Sequence, residues 1–208
     1  MNVKSEFLLK GACSPDTALG IPNRTMSTIC GGLDDTGPIT ASKRWLKTKR
    51  SMLILSGPVG VGKTVAACWC GLHFGKESEI LHNKSGWNHD KPTRVVIRDS
   101  IMRFTPSFKI ASVPPWNLYK LDCFHNFVVV IDDVGSEVGT IENMRVRYDT
   151  LLTHRHNEGL VTIITTNMAA PSFKSYVGER VVDRIREDGV FVETATRSLR
   201  QYPENPLG

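Results

Sequence analysis

The stretch SMLILSGPVGVGKTVAACWC, Ser51 to Cys70, decides how this chain is read. A short apolar run, SMLILSG (51–57), has the length and composition of a buried strand. It ends in GPVGVGKT, Gly57 to Thr64, which fits GxxxxGK[ST]. A run of helix-forming composition, KTVAACWCGLHFG (63–75), follows with a glycine stop. The glycines let successive backbone N–H groups wrap a polyphosphate, and the helix beginning near Lys63 turns its positive end toward it. In this pattern the Lys63 ammonium reaches the β- and γ-phosphates and the Thr64 hydroxyl holds Mg²⁺. The expected nucleotide-binding set is Gly57, Pro58, Val59, Gly60, Val61, Gly62, Lys63, Thr64 and Val65, and the expected cofactors are ATP and Mg²⁺.

A second stretch, VVVIDDVGSE (Val128–Glu137), runs four aliphatic residues into two adjacent carboxylates. Side by side these repel each other and call for a cation or polar ligand nearby. The phosphate loop supplies the reason. Asp132, closing a buried strand, is expected to bind Mg²⁺ through its water shell. Asp133 is expected to orient or deprotonate the attacking water. TTN (165–167) ends another apolar run, and Asn167 is the candidate contact to the γ-phosphate or the lytic water.

Outward from these motifs, strand and helix signals alternate. TRVVIRD (93–99), HNFVVVIDD (125–133), LVTIITTN (160–167) and GVFVETA (189–195) read as strands. TIENMRVRYDTLLTHRHNEG (140–159) reads as a long amphipathic helix and GERVVDRIRE (178–187) as a short charged one. Apolar strands alternating with helices predict a mainly parallel sheet covered on both faces, with ligands beyond the carboxyl ends of the strands. Residues 1–40, rich in Gly, Pro, Ser, Thr and Asp, read as a largely irregular N-terminal arm, and 41–208 as one domain.

The bulk numbers fit that picture. The chain has 208 residues, 40% of them hydrophobic and 23% charged, as in a soluble globular domain. No apolar run approaches a membrane span. The five cysteines form no CxxC pair and no zinc-spaced cluster, so reduced thiols in a cytoplasmic protein are expected. The net charge is +5, and ASKRWLKTKR (41–50) alone carries five cations and no acid. That run either grips a phosphate backbone or forms the solvated face of a helix with Trp45 and Leu46 turned inward. In GERVVDRIRE, Arg180 and Arg184 share a helix face, and a guanidinium there can neutralise charge on a transferring γ-phosphoryl group.

Together these residues resemble the AAA+ ATPases, and within them the helicase-loader and transposition-helper branch typified by DnaC and IstB. The resemblance runs from about Ile21 to Arg200 and rests on the order of IPNR (21–24), GPVGVGKT, IDDVGSE, the long helix with Arg155, LVTIITTN, GERVVDRIR and SLR (198–200). It implies a P-loop NTPase three-layer α/β/α sandwich; in a departure from the family, the stretch after Gly189 is too short to build a separate helical lid, so a neighbouring subunit is expected to complete the pocket. It also implies an arginine finger acting in trans at Arg184, a sensor-2 arginine at Arg200 and sensor 1 at Asn167. The segment 98–121 falls where this branch carries an extra helical element that touches single-stranded DNA. Arg103, Phe104, Phe108, Lys109 and Lys120 carry cationic and aromatic chemistry suited to that contact, or else serve as helix core and solvated lysines.

The pattern departs from many AAA+ proteins in having Asp133 where glutamate is common. The shorter side chain weakens water activation, or Glu137 assists it. The polar stretch Leu81–Lys91 receives no role. The function expected from the resemblance is an ATPase activated by self-association through the ATP site, serving DNA replication as a loader that binds single-stranded DNA and a hexameric replicative helicase. The alternatives are a transposition helper acting on duplex DNA with a transposase, and a nucleotide-gated adaptor with little turnover.

Overall fold

The computed structural model describes residues 20–48, 50–84 and 102–194, with 75–84 as helix backbone. Among these residues five parallel strands form one sheet in the order β2-β3-β4-β1-β5. They are β1 (Met52–Ser56), β2 (Arg103–Pro106), β3 (Val128–Val134), β4 (Val161–Thr166) and β5 (Gly189–Glu193). Helices precede β1, α1 (Asn23–Cys30) and α2 (Gly37–Trp45), and α3 (Lys63–Lys84) follows it. Between β2 and β3 lie α4 (Ser107–Ser112), a 3₁₀ turn (Pro115–Lys120) and α5 (Asp122–His125). The long α6 (Ile141–Asn157) joins β3 to β4, and α7 (Ala170–Val177) and α8 (Glu179–Asp188) lead into β5.

Successive strand residues point to opposite faces, and here both faces are apolar. Met52, Ile54, Val129, Ile131 and Ile164 join a core with Met144, Tyr148, Leu151 and Leu152 of α6 and Phe173, Val181 and Ile185 of α7 and α8. Leu53, Leu55, Val128, Val130 and Ile163 join a second core with Ile29, Ile39, Trp45, Ala66 and Leu72 of α1, α2 and α3. The result is the expected α/β/α sandwich with a parallel sheet at its centre. Thr36 starts α2, its hydroxyl accepting the Ile39 N–H at 3.4 Å, and Thr140 starts α6 by accepting from Asn143 at 3.4 Å. Gly159, at φ 64°, lets the chain leave α6.

Several expectations need correction. Within the expected irregular arm, 23–30 is a helix, and the boundary at residue 40 runs through α2. Both helices bury apolar residues under the sheet. Gly75 does not stop α3, which runs to Lys84. Arg103–Pro106, within the segment expected to be helical, is an edge strand; the strand expected at 93–99 is untested, since it lies outside the described residues. The basic run 41–50 takes the second of its two readings: Trp45 is 2% exposed. Arg50 donates to Gly189 O at 2.8 Å and lies 3.4 Å from Arg186 O, closing the C-terminal end of α8.

One buried cation ties the far end of the sheet. Arg155 of α6 is 0% exposed and donates to Cys123 O, Asn126 O, Phe127 O, Val161 O and Thr162 Oγ1 at 2.6–3.3 Å. These bonds pin α5 and the starts of β3 and β4 to one helix. Burial lowers its pKa to about 10.

Candidate nucleotide site

The carboxyl ends of β1, β3 and β4 open into a cavity of ≈ 980 Å³. Its floor is the loop between β1 and α3. Gly60 and Gly62 sit at φ 88° and 87°, a region that a Cβ disfavours, and so the loop can curl its amides inward. Gly57 has no room for a side chain, because a Cβ there would lie 2.5 Å from Thr194 O at the end of β5. Val59, Gly60, Gly62, Lys63, Thr64 and Val65 line the cavity, and Val61 is buried beneath it.

Lys63 Nζ donates to Gly57 O, Pro58 O and Asn167 Oδ1, each at 2.8 Å. Asn167 in turn donates from Nδ2 to Asp133 Oδ1 at 2.9 Å. The lysine, the expected sensor and the second acid are therefore one hydrogen-bonded chain across the cavity mouth. Thr64 Oγ1 donates to Asp132 Oδ1 at 2.8 Å. Burial holds the Asp132 carboxyl above its ordinary range; the Thr165 and Thr64 hydroxyls oppose this, the Asp133 charge adds to it, and Lys63 lowers it. A partly desolvated carboxylate beside a hydroxyl is hard oxygen chemistry of the kind magnesium takes, so the residues present fit that ion.

The cavity is also lined by residues to which the sequence assigns no role. Arg24, Thr25 and Thr28 of α1, with Leu33, Asp34 and Thr36 of the following turn, line it together with the phosphate loop. Arg24 is the last residue of IPNR (21–24), which the resemblance placed ahead of the domain without a role at the site.

Other expected residues fall elsewhere. Glu137 does not line the cavity: its carboxylate accepts from the Tyr148 hydroxyl, from the Tyr176 hydroxyl at 2.7 Å and from the Gly135 N–H at 2.7 Å. A carboxylate so engaged braces the loop after β3 and is not positioned to activate water. Arg184 also lies off the cavity, on α8, half-buried and 3.5 Å from Glu187. Arg180 pairs with Asp149 at 3.1 Å. Arg200 lies outside the described residues.

The cationic-aromatic segment divides. Phe104 is a core residue of β2, 7% exposed, so it cannot stack on a base. Arg103 is half-buried and faces Asp122 at 3.8 Å. Phe108, Trp116 and Tyr119 are exposed by 61%, 74% and 54%, anchored by buried Ile110 and Leu118. Lys109 and Lys120 are exposed beside them, and Lys120 Nζ stands 5.7 Å from the Tyr119 ring centroid. Trp116 and Tyr119 were missed because sequence alone does not separate an exposed aromatic from a core one.

No protein-family model and no curated protein matches the sequence. Solved structures share its fold. The crystal structure of the DnaC helicase loader superposes with a TM-score of 0.59 at 18% identity, covering 83% of this chain and 99% of that one. DnaI gives 0.57 at 17% identity, covering 86% and 94%. The replication initiator DnaA bound to AMPPCP and single-stranded DNA gives 0.54 at 15% identity, covering 85% of this chain and 51% of that one. At such identities the likeness is one of fold: a parallel five-stranded sheet flanked by helices, shared with these solved structures.

Proposed function

We propose that this chain is an ATP-binding and ATP-hydrolysing accessory of DNA replication, of the helicase-loader kind. The observation that carries the reading is the convergence of Lys63, Thr64, Asp132, Asp133 and Asn167 on one cavity at the carboxyl ends of three parallel strands. Three separate segments, the loop after β1, the end of β3 and the end of β4, together supply a phosphate cradle, a metal-facing pair, an acid and an amide.

In this reading the triphosphate lies along the N-terminus of α3 and the nucleoside under α1. The Lys63 ammonium has three donors, and its present acceptors are loop carbonyls and Asn167. Phosphate oxygens replace some of them on binding, which frees Asn167 to follow the γ-phosphate. Thr64 and Asp132 would hold magnesium, which would supply positive charge to offset that developing on the transferred phosphoryl group. Asp133 orients a water and takes its proton as the water oxygen bonds to the γ-phosphorus. The bond to the bridging oxygen breaks, leaving ADP and phosphate. Arg184, held off the cavity on α8, suits a finger that enters a neighbouring subunit's site. Arg200 is the proposed sensor-2 arginine.

For a replication partner, the exposed Phe108, Trp116 and Tyr119 with Lys109 and Lys120 suit single-stranded DNA, whose bases stack on aromatic faces while cations follow the backbone. A hexameric replicative helicase is the proposed protein partner. The test is binding of fluorescent ADP and ATP, followed by capture of partners with ATP present. Lys63→Ala is expected to lose tight nucleotide binding and the captured helicase together; micromolar affinity in that variant would refute the phosphate-loop assignment.

A further inference from the structure

Neighbouring residues of a pleated strand point to opposite faces of the sheet, yet Asp132 and Asp133 line the same cavity. The device is a bulge. The register of β3 on β4 slips between Ile131 and Val134, and Asp133 takes φ 61°. Among the described residues it is the one non-glycine with positive φ. A bulge re-aims a side chain, and a left-handed Asp persists where its surroundings hold it.

What holds it is a set of hydroxyls. Thr165, 1% exposed on β4, accepts the Asp133 N–H at 2.8 Å and donates to Asp132 Oδ1 at 2.7 Å. The single proton of this hydroxyl goes to one acid and a lone pair takes the backbone of the next. The Asp133 carbonyl is gripped from the other side by Ser107 Oγ at 2.9 Å and Ser136 Oγ at 2.8 Å. Thr166 closes the bulge by donating to Val134 O at 2.7 Å.

We propose that Thr165 is a positioning residue for ATP hydrolysis: its one hydroxyl aims the metal-facing carboxylate of Asp132 and, through the Asp133 backbone, brings the second acid to the same side of the sheet. The inference rests on the nucleotide reading above. A threonine on a buried parallel strand would otherwise be replaceable by valine, which has the same shape and the same strand preference. Here valine removes both bonds while filling the same space.

The experiment compares Thr165→Val and Thr165→Ser with the native chain in three measurements: ADP binding in EDTA, Mn²⁺ binding to the ADP complex by electron paramagnetic resonance, and ATP turnover. Thr165→Val is expected to bind ADP in EDTA as the native chain does, because the phosphate loop is untouched. Its ADP complex is expected to bind Mn²⁺ about tenfold or more weakly, the scale seen when a partner orienting a metal-facing carboxylate is lost, and turnover falls with it. Thr165→Ser, which keeps the hydroxyl, is expected to restore both. Ser107→Ala is the second variant should the valine chain not fold: it loosens only the Asp133 carbonyl and is expected to lower turnover while leaving Mn²⁺ binding unchanged. Native Mn²⁺ affinity and turnover in Thr165→Val would overturn the proposal, as would a loss of metal-free ADP binding in step with stability. A native chain that binds no ADP would overturn the nucleotide reading itself.

Discussion

Replacing Arg155 by methionine tests whether the far end of the sheet is held by hydrogen bonds or by packing. Arg155 is fully buried, and its guanidinium serves four backbone carbonyls and the Thr162 hydroxyl. Methionine fills much of the space and relieves the cost of burying a charge. It leaves the carbonyls behind. Phe127 O keeps the Val161 N–H at 2.8 Å and Val161 O keeps its place in the β3–β4 ladder, so three acceptors, Cys123 O, Asn126 O and Thr162 Oγ1, are left short of a donor. At about 1 kcal/mol or more for each buried acceptor left short, the loss is about 3 kcal/mol. That is a large share of a typical domain's ~5–15 kcal/mol. With a urea m-value of about 2 kcal/mol/M, the midpoint falls by about 1.5 M. Urea unfolding followed by circular dichroism reads this directly. The site lies at the amino ends of β3 and β4, opposite the cavity, so ADP affinity of the folded variant stays native. A midpoint shift below about 0.3 M would refute the reasoning and show that relief of the buried charge offsets the lost bonds.

Arg184→Ala is expected to keep nucleotide binding and lose most turnover, and turnover per native chain is expected to rise with protein concentration. Mixing Arg184→Ala with Asp133→Asn protein should restore activity at hybrid interfaces; no recovery would exclude a finger acting in trans. Burial, and then the carboxylate of Glu137, push the Tyr148 and Tyr176 phenols upward. The folded chain thus holds protons that the unfolded chain releases near pH 10, and stability is expected to fall as pH rises through about 10. Thermal unfolding at pH 9 to 11 checks the sign, and the double variant Tyr148→Phe/Tyr176→Phe should flatten the slope. Trp116→Ala is expected to weaken binding of single-stranded DNA by about 1–3 kcal/mol with the salt dependence kept. Lys120→Ala should instead reduce the salt slope. Unchanged affinity in both would remove the 3₁₀ turn from the DNA contact.

The sequence by itself determined the phosphate loop, the acid pair and the strand–helix alternation around them. These are local signals. Glycine spacing in GPVGVGKT, the apolar run into Asp132 and Asp133, and the TTN after LVTII each act within one strand and its turn, where residue type alone restricts the backbone. What the tertiary structure decided are contacts between segments far apart in the chain. Thr165 reads as an ordinary strand threonine until β4 is set beside the bulge of β3. Phe104 and Trp116 are alike in sequence, yet one is in the sheet and the other in solvent. Glu137 reads as a candidate base until two tyrosines from α6 and α7 close on it. Arg155 reads as the polar end of an amphipathic helix, and α1 as part of an irregular arm, until the sheet offers the carbonyls and the apolar face that bury them. A side chain's burial and hydrogen-bond partners depend on which distant backbone arrives opposite it, and no local pattern encodes that arrival.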